Sequence, residues 1–283
     1  MSVRPTPRLT VRFAVLILAA ALTFAPLSLA PVWAQTSMRE MAAHRAVYDL
    51  SLLKSSNGGP ESARGRIVIE FSGSACEGYV QTMRQVVELT ATEGEAAQLD
   101  YRSTTFESGD GTRFRFSRDN KKSGEQPDKS EGAVEKRGRG PVLMITKPKR
   151  KQLELPEGTL FPTEHMKRLL ETARQGETRF AAPLFDGADE DNRVFDTIVT
   201  IGPRKQGTDG QAFTAPLAAL PYWSMSMSFF EREKGDGMPT QTMRFQVYDN
   251  GIISAIVIDF GDFTLAGKLQ ALELLKPQPC NQK

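Results

Sequence analysis

Apolar and polar side chains alternate through most of the chain beyond residue 43. His44–Leu53 puts Ala46, Tyr48 and Leu50 on one face and Val47 and Asp49 on the other, the period of a half-buried strand. Arg64–Phe71 and Cys76–Leu89 repeat the pattern, with Gly78 suited to a bulge or a close contact. Leu99–Glu107 and Thr112–Arg118 follow, joined by the hairpin signal Ser108-Gly-Asp-Gly111. Strand patterns resume at 143–146, 152–155, 178–185, 193–201, 222–232, 240–248, 252–260 and 263–275. Lys234–Gly237, Asp249-Asn-Gly251 and Gly261-Asp262 mark tight turns between them.

Two segments break the pattern. Residues 121–140 (KKSGEQPDKSEGAVEKRGRG) carry one sizeable aliphatic side chain, Val134, and read as a polar mobile segment or as a polar hairpin with a short edge strand around Ala133–Lys136. Residues 164–175 have Met166, Leu169, Leu170 and Ala173 at helical spacing. Thr163 is placed to cap that helix, Glu164 suits its positive end, and Gly176 suits the left-handed position after it. The expected fold is therefore mostly β. A single long antiparallel sheet curls into an open, barrel-like form with one main α-helix packed in it.

The first residues change the picture of where this sheet works. Arg4, Arg8 and Arg12 precede the apolar stretch Phe13–Leu29, which Pro26 interrupts, and Val32-Trp-Ala34 offers a cleavage site. Phe13–Ala25 holds about 13 unbroken apolar residues, short of the roughly 20 that span a bilayer. We read residues 1–34 as a signal peptide cleaved after Ala34 and 35–283 as one periplasmic domain. Cleavage removes three basic residues and no acidic one, leaving 33 Lys and Arg against 34 Asp and Glu. No global basic excess remains to argue for nucleic acid.

Cys76 and Cys280 are the two cysteines. In an oxidising compartment a structural disulfide between them is the economical reading. The alternative is free or redox-active thiols, for which the usual C-x-x-C spacing is absent.

Candidate chemistry is sparse. His44 and His165 are the only histidines, and neither sits in a metal-ligand motif such as H-E-x-x-H. No G-x-S-x-G elbow or S-x-x-K motif occurs. The acidic run Asp186–Asp191 lacks calcium-loop spacing and reads as a solvated turn. We expect no catalytic residue, metal or cofactor. Lys147, Lys149, Arg150 and Lys151 form a basic run, which suits an anionic partner or, equally, a lysine-protected edge strand. Trp223, Met225, Met227 and Phe229 alternate with serines along one strand and form an adaptable apolar surface, either core or the lining of a ligand cavity.

Several ordered segments together resemble the EipB-like cell envelope integrity family of alphaproteobacterial periplasmic proteins. They are His44–Leu50, Ala63–Arg66, Ser74–Tyr79, Leu160–Met166 and the strand pair ending at Cys280. The resemblance runs over nearly the whole mature chain. It implies a β-spiral with a helix packed in it and one disulfide, carried over to Cys76 and Cys280. It also implies a non-enzymatic role in envelope integrity and under envelope stress, and a periplasmic tetratricopeptide-repeat protein as partner. The shape is similar to that of periplasmic lipoprotein carriers, which makes an envelope lipid or lipoprotein acyl chain the alternative partner. A monomer is expected.

Overall fold

The computed structural model describes residues 40–276 apart from 92–95, 139, 190, 209 and 233–236. The signal segment expected over 1–34 and Cys280 lie outside the described residues. Among the described residues fifteen strands make one sheet. In chain order they are β1 (His44–Ser55), β2 (Ser62–Ser74), β3 (Gly78–Thr90), β4 (Ala97–Glu107), β5 (Arg113–Lys122), β6 (Asp128–Arg137), β7 (Gly140–Lys147) and β8 (Lys151–Glu154). Helix α1 (Pro162–Arg174) follows, then β9 (Arg179–Leu184), β10 (Phe195–Ile201), β11 (Lys205–Gln206) and a 3-10 segment, Ala212–Leu217. The last four are β12 (Pro221–Glu231), β13 (Gln241–Tyr248), β14 (Ile253–Asp259) and β15 (Phe263–Leu274).

The topology centres on β1. Strands β2 to β8 add to one of its sides in chain order. On its other side the order runs β15, β14, β13, β12, β10, β9, with β11 pairing β12. Every ladder is antiparallel, as short hairpins require. The expected elements are present, with β11 and the 3-10 segment as additions. Bulges between Val47 and Tyr48 and between Gln246 and Val247 break the register locally, which increases twist and helps the sheet bend.

The sheet curls without closing. Phe114, Phe116, Val134 and Leu143 from β5–β7 share a core with Phe161, Phe185 and Val194, which lie beside strands from the far end of the order. No ladder joins β8 to β9. Gly187 makes this approach possible: a Cβ there would lie 2.6 Å from the Phe116 ring, and its φ of +70° is a glycine conformation.

Of the two readings of residues 121–140, a mobile segment or a polar hairpin with a short edge strand, the structure has a hairpin, with a longer strand than expected. These residues finish β5 and form β6, which pairs with both β5 and β7 and is not an edge. The polarity of this stretch lies mainly on one face. On the other, Val134 and Ser130 are buried, and Gly132 lets the Phe116 ring lie against the strand.

Candidate functional site

Helix α1 organises the interior. Its first residue is Pro162, whose fixed φ suits the start of a helix, and Phe161 occupies the cap position without a side-chain bond. Thr163, expected as the cap, is already inside the helix. The capping carboxylate comes from β4 instead. The N–H of Thr163 donates to Glu107 Oε2 and that of Glu164 to Oε1, each at 2.7 Å. Glu107 is buried at 3% exposure, and burial raises its carboxyl above the ordinary range while the two N–H donors oppose that rise. Gly176 ends the helix at φ +81°, as expected.

Charged and aromatic groups surround this helix start. Lys136 Nζ bonds Glu164 Oε2 at 2.7 Å and lies 4.6 Å from the centre of the Phe161 ring. Arg168 pairs with the other oxygen of Glu164. Lys167 is buried, with Nζ 4.1 Å from the centre of the Tyr79 ring, and burial lowers its pKa. Burial raises the Tyr79 phenol to about 12, and its hydroxyl is buried without a hydrogen-bond partner among the described residues. His165 is neutral at neutral pH, since burial lowers its pKa to about 4. Thr197 donates its hydroxyl to the Ala182 carbonyl at 2.7 Å, so His165 Nε2–H donates to Thr197 Oγ1 at 2.8 Å, which sets the tautomer. His44 Nδ1–H donates to the Ala42 carbonyl at 2.7 Å. Both histidines are satisfied structural residues in these bonds. Among the described residues no group of three His, Cys, Asp or Glu is placed to hold a metal ion.

The apolar row on β12 lies under the other side of α1. Trp223, Met225 and Met227 are buried against Leu169, Leu170 and Ala173, together with Val199, Phe245 and Val247. Phe229 is half-buried at the end of the row, edge-on to Phe195. The surface considered as a ligand lining is thus covered by the helix, because its side chains match the helix stripe. A cavity of about 150 Å³ lies beneath the first turns of α1. His44, Tyr48, Ile69, Phe71, Met166 and Ile253 are among the side chains around it. That is below the ~300 Å³ at which small-molecule pockets begin.

The remaining candidates are dispersed. Lys147, Lys149, Arg150 and Lys151 sit at the exposed tip of the β7–β8 hairpin. Lys147 bonds Glu131 at 2.9 Å, and the other three make no ion pair among the described residues. The described residues of the Asp186–Asp191 run turn between β9 and β10, as expected, but are less solvated than expected. Asp189 holds Arg193 at 2.8 Å, Arg118 Nη1 donates to the Ala188 carbonyl at 2.9 Å, and burial raises the Asp186 carboxyl. Cys76 is exposed in the β2–β3 turn. Sequence reasoning missed Glu107, Lys167 and Tyr79, which carry no local motif.

The fold and its interior define a class: an open, curled antiparallel sheet with helix α1 packed against part of its inner face. The family model described as EipB-like matches residues 35–276, and the chain belongs to that family. It is 34% identical over 234 residues to the cell envelope integrity protein EipB of Brucella abortus (strain 2308), covering 82% of this chain and 83% of that one. A solved β-barrel-like protein from Brucella abortus, described as a domain of unknown function, superposes with a TM-score of 0.78 at 33% identity. The match covers 84% of this chain and 99% of that one.

Proposed function

We propose that this chain is a non-catalytic protein of the periplasm that maintains envelope integrity by binding other envelope components. One observation carries the reading. The inner apolar side chains are spent in packing, those of β10, β12 and β13 with α1 and those of β1, β2 and β15 with one another and Phe213, so the outer face and hairpin ends are the surfaces left for another molecule. The name of the Brucella relative supports the envelope role. A tetratricopeptide-repeat protein of the periplasm is the partner we propose. Export with cleavage after Ala34 belongs to the same reading.

So does a Cys76–Cys280 disulfide. His44 on β1 pairs with Phe71 on β2 and with Leu274 on β15. The turn holding Cys76 and the strand leading toward Cys280 therefore leave the sheet at the same end. The test of the function is deletion of the gene, followed by growth in detergent and cell-wall antibiotics. Sensitivity restored by the intact gene is expected. A deletion strain as robust as its parent would overturn the reading.

The carrier alternative rests on the cavity under α1, which would have to widen by displacement of the helix to admit an acyl chain. Native mass spectrometry of protein purified without detergent tests it. Bound lipid mass would favour the carrier, and uniformly bare protein would remove it.

A further inference from the structure

The charge of this chain is unevenly distributed. Between Arg113 and Glu154, the stretch that forms β5 to β8, there are 13 Lys and Arg against 6 Asp and Glu, a net of +7. Residues 35–283 total 33 against 34, so the rest of that span holds 20 against 28, a net of −8. The near-neutral total hides a regional cationic excess. Because β5 to β8 are consecutive at one end of the strand order, the sequence block is also a spatial block, a cationic wing ending at the edge strand β8.

Several of the acidic residues in this wing are already paired. Glu125, Asp119, Glu131 and Glu135 hold Lys122, Lys129, Lys147 and Arg137, and Asp128 holds the buried Arg118. Lys121, Lys149, Arg150 and Lys151 are exposed and make no ion pair among the described residues. Three of these four project from the β7–β8 hairpin end, where among the described residues no further strand pairs with β8. Met144, on the same hairpin, is 47% exposed.

We propose that the β5–β8 wing docks on a bilayer containing anionic phospholipid, with the Lys149-Arg150-Lys151 tip as its main contact. The inference rests on the envelope reading above and names the partner class for one of its surfaces. A field of anionic headgroups attracts each nearby Lys or Arg and needs no fixed register, which suits long cationic side chains on hairpin ends. Screening over about 10 Å at moderate ionic strength makes the contact reversible by salt.

The experiment uses the full chain, expressed with its own export segment and purified without detergent. It is sedimented with phosphatidylcholine vesicles, with and without phosphatidylglycerol. Binding only in the presence of phosphatidylglycerol, lost at high salt, is expected. The variant Lys149→Glu/Arg150→Glu/Lys151→Glu should partition at least ~10-fold less, since each cation near the surface contributes additively. A charge-matched control, Arg45→Glu/Lys54→Glu/Lys268→Glu, lies outside the wing and should stay within about twofold of the parent. Circular dichroism and melting establish that both variants fold. Equal loss in the two variants, or no preference for phosphatidylglycerol, overturns the proposal. So does a wild-type protein that ignores vesicles and instead crosslinks to an acidic protein through the same tip. The gene-deletion test is independent: either result can fail while the other stands.

Discussion

The two sides of α1 are held by opposite chemistry. On one side Leu169, Leu170 and Ala173 meet Trp223, Met225, Met227, Phe245 and Val247, a contact built of area and shape. Away from that contact, Glu107, Lys167 and Tyr79 at the helix start and His165 on the β9–β10 flank bury polar and ionisable groups whose pKa values all move in the direction that favours the neutral form. The apolar side stabilises in proportion to what it hides, at about 1.5–3 kcal/mol for each fully buried large side chain. The polar side recovers the cost of desolvation through particular bonds and contributes less net stability. What it adds is position, since only one placement of α1 brings two N–H groups onto Glu107.

The comparison predicts its own ranking. Trp223→Ala should be the most damaging single change, at about 3–5 kcal/mol, because it empties the largest fully buried side chain beneath the helix. Urea unfolding followed by far-ultraviolet circular dichroism measures it. A loss under about 1 kcal/mol would mean that α1 is not anchored by its apolar face.

The second prediction is a pH dependence. His165 titrates at about 4 in the fold against 6.5 in the unfolded chain, so between those values the unfolded chain binds the extra proton. Its contribution is complete above about 6.5 and is lost as pH falls toward 4, reaching roughly 3 kcal/mol. His44 is shifted in the same direction by burial and adds to the loss. Glu107 and Asp186 run the other way: with their carboxyl pKa raised, the cost of their charge disappears on acidification. Thermal melts of the wild type and His165→Gln across this window separate the terms. Glutamine can still donate to Thr197 but does not titrate, so the variant should show a flatter profile. Parallel profiles would remove His165 as the source.

Next comes Glu107→Gln, expected to cost about 1–2 kcal/mol. One amide oxygen can replace one carboxylate oxygen, while the NH2 group faces the second helix N–H as donor against donor. Hydrogen exchange at Thr163 and Glu164 should speed up with little change at Leu169 and Leu170. Uniform acceleration along α1 would show that the cap carries global stability rather than position.

This ranking also explains what could be read along the chain beforehand. The apolar side of α1 was legible because it is periodic: the helix stripe and the alternation on β12 each stand out within about ten residues. Trp223, Met225 and Met227 could therefore be assigned to a common face, though not to core rather than cavity, since that depends on which element covers them. Glu107 was not legible as a cap because its partners Thr163 and Glu164 lie 56 and 57 residues away. A nearby Thr163 offered the local alternative that the helix start bypasses. Strand β6 was obscured for a related reason: its buried face is a valine, a glycine and a serine, and the ring that covers Gly132 belongs to another strand.

The smallest effect, and the sharpest test of the contrast, is Lys167→Met. Its ammonium gains a cation–π contact with Tyr79, worth roughly 0.5–2 kcal/mol when shielded from water. Against that stands desolvation, which is the leading cause of its lowered pKa despite the attraction of Glu107, Glu164 and Glu40. The fold therefore disfavours this charge relative to water. Methionine keeps the length and apolar stem and brings a polarisable sulfur to the same ring. The variant should unfold within about 1 kcal/mol of the wild type, on the stable side if on either. A loss of about 3 kcal/mol or more would show instead that Glu107 depends on the ammonium for its ionised form, and the polar side of α1 would then be a coupled charge network rather than a set of separate bonds.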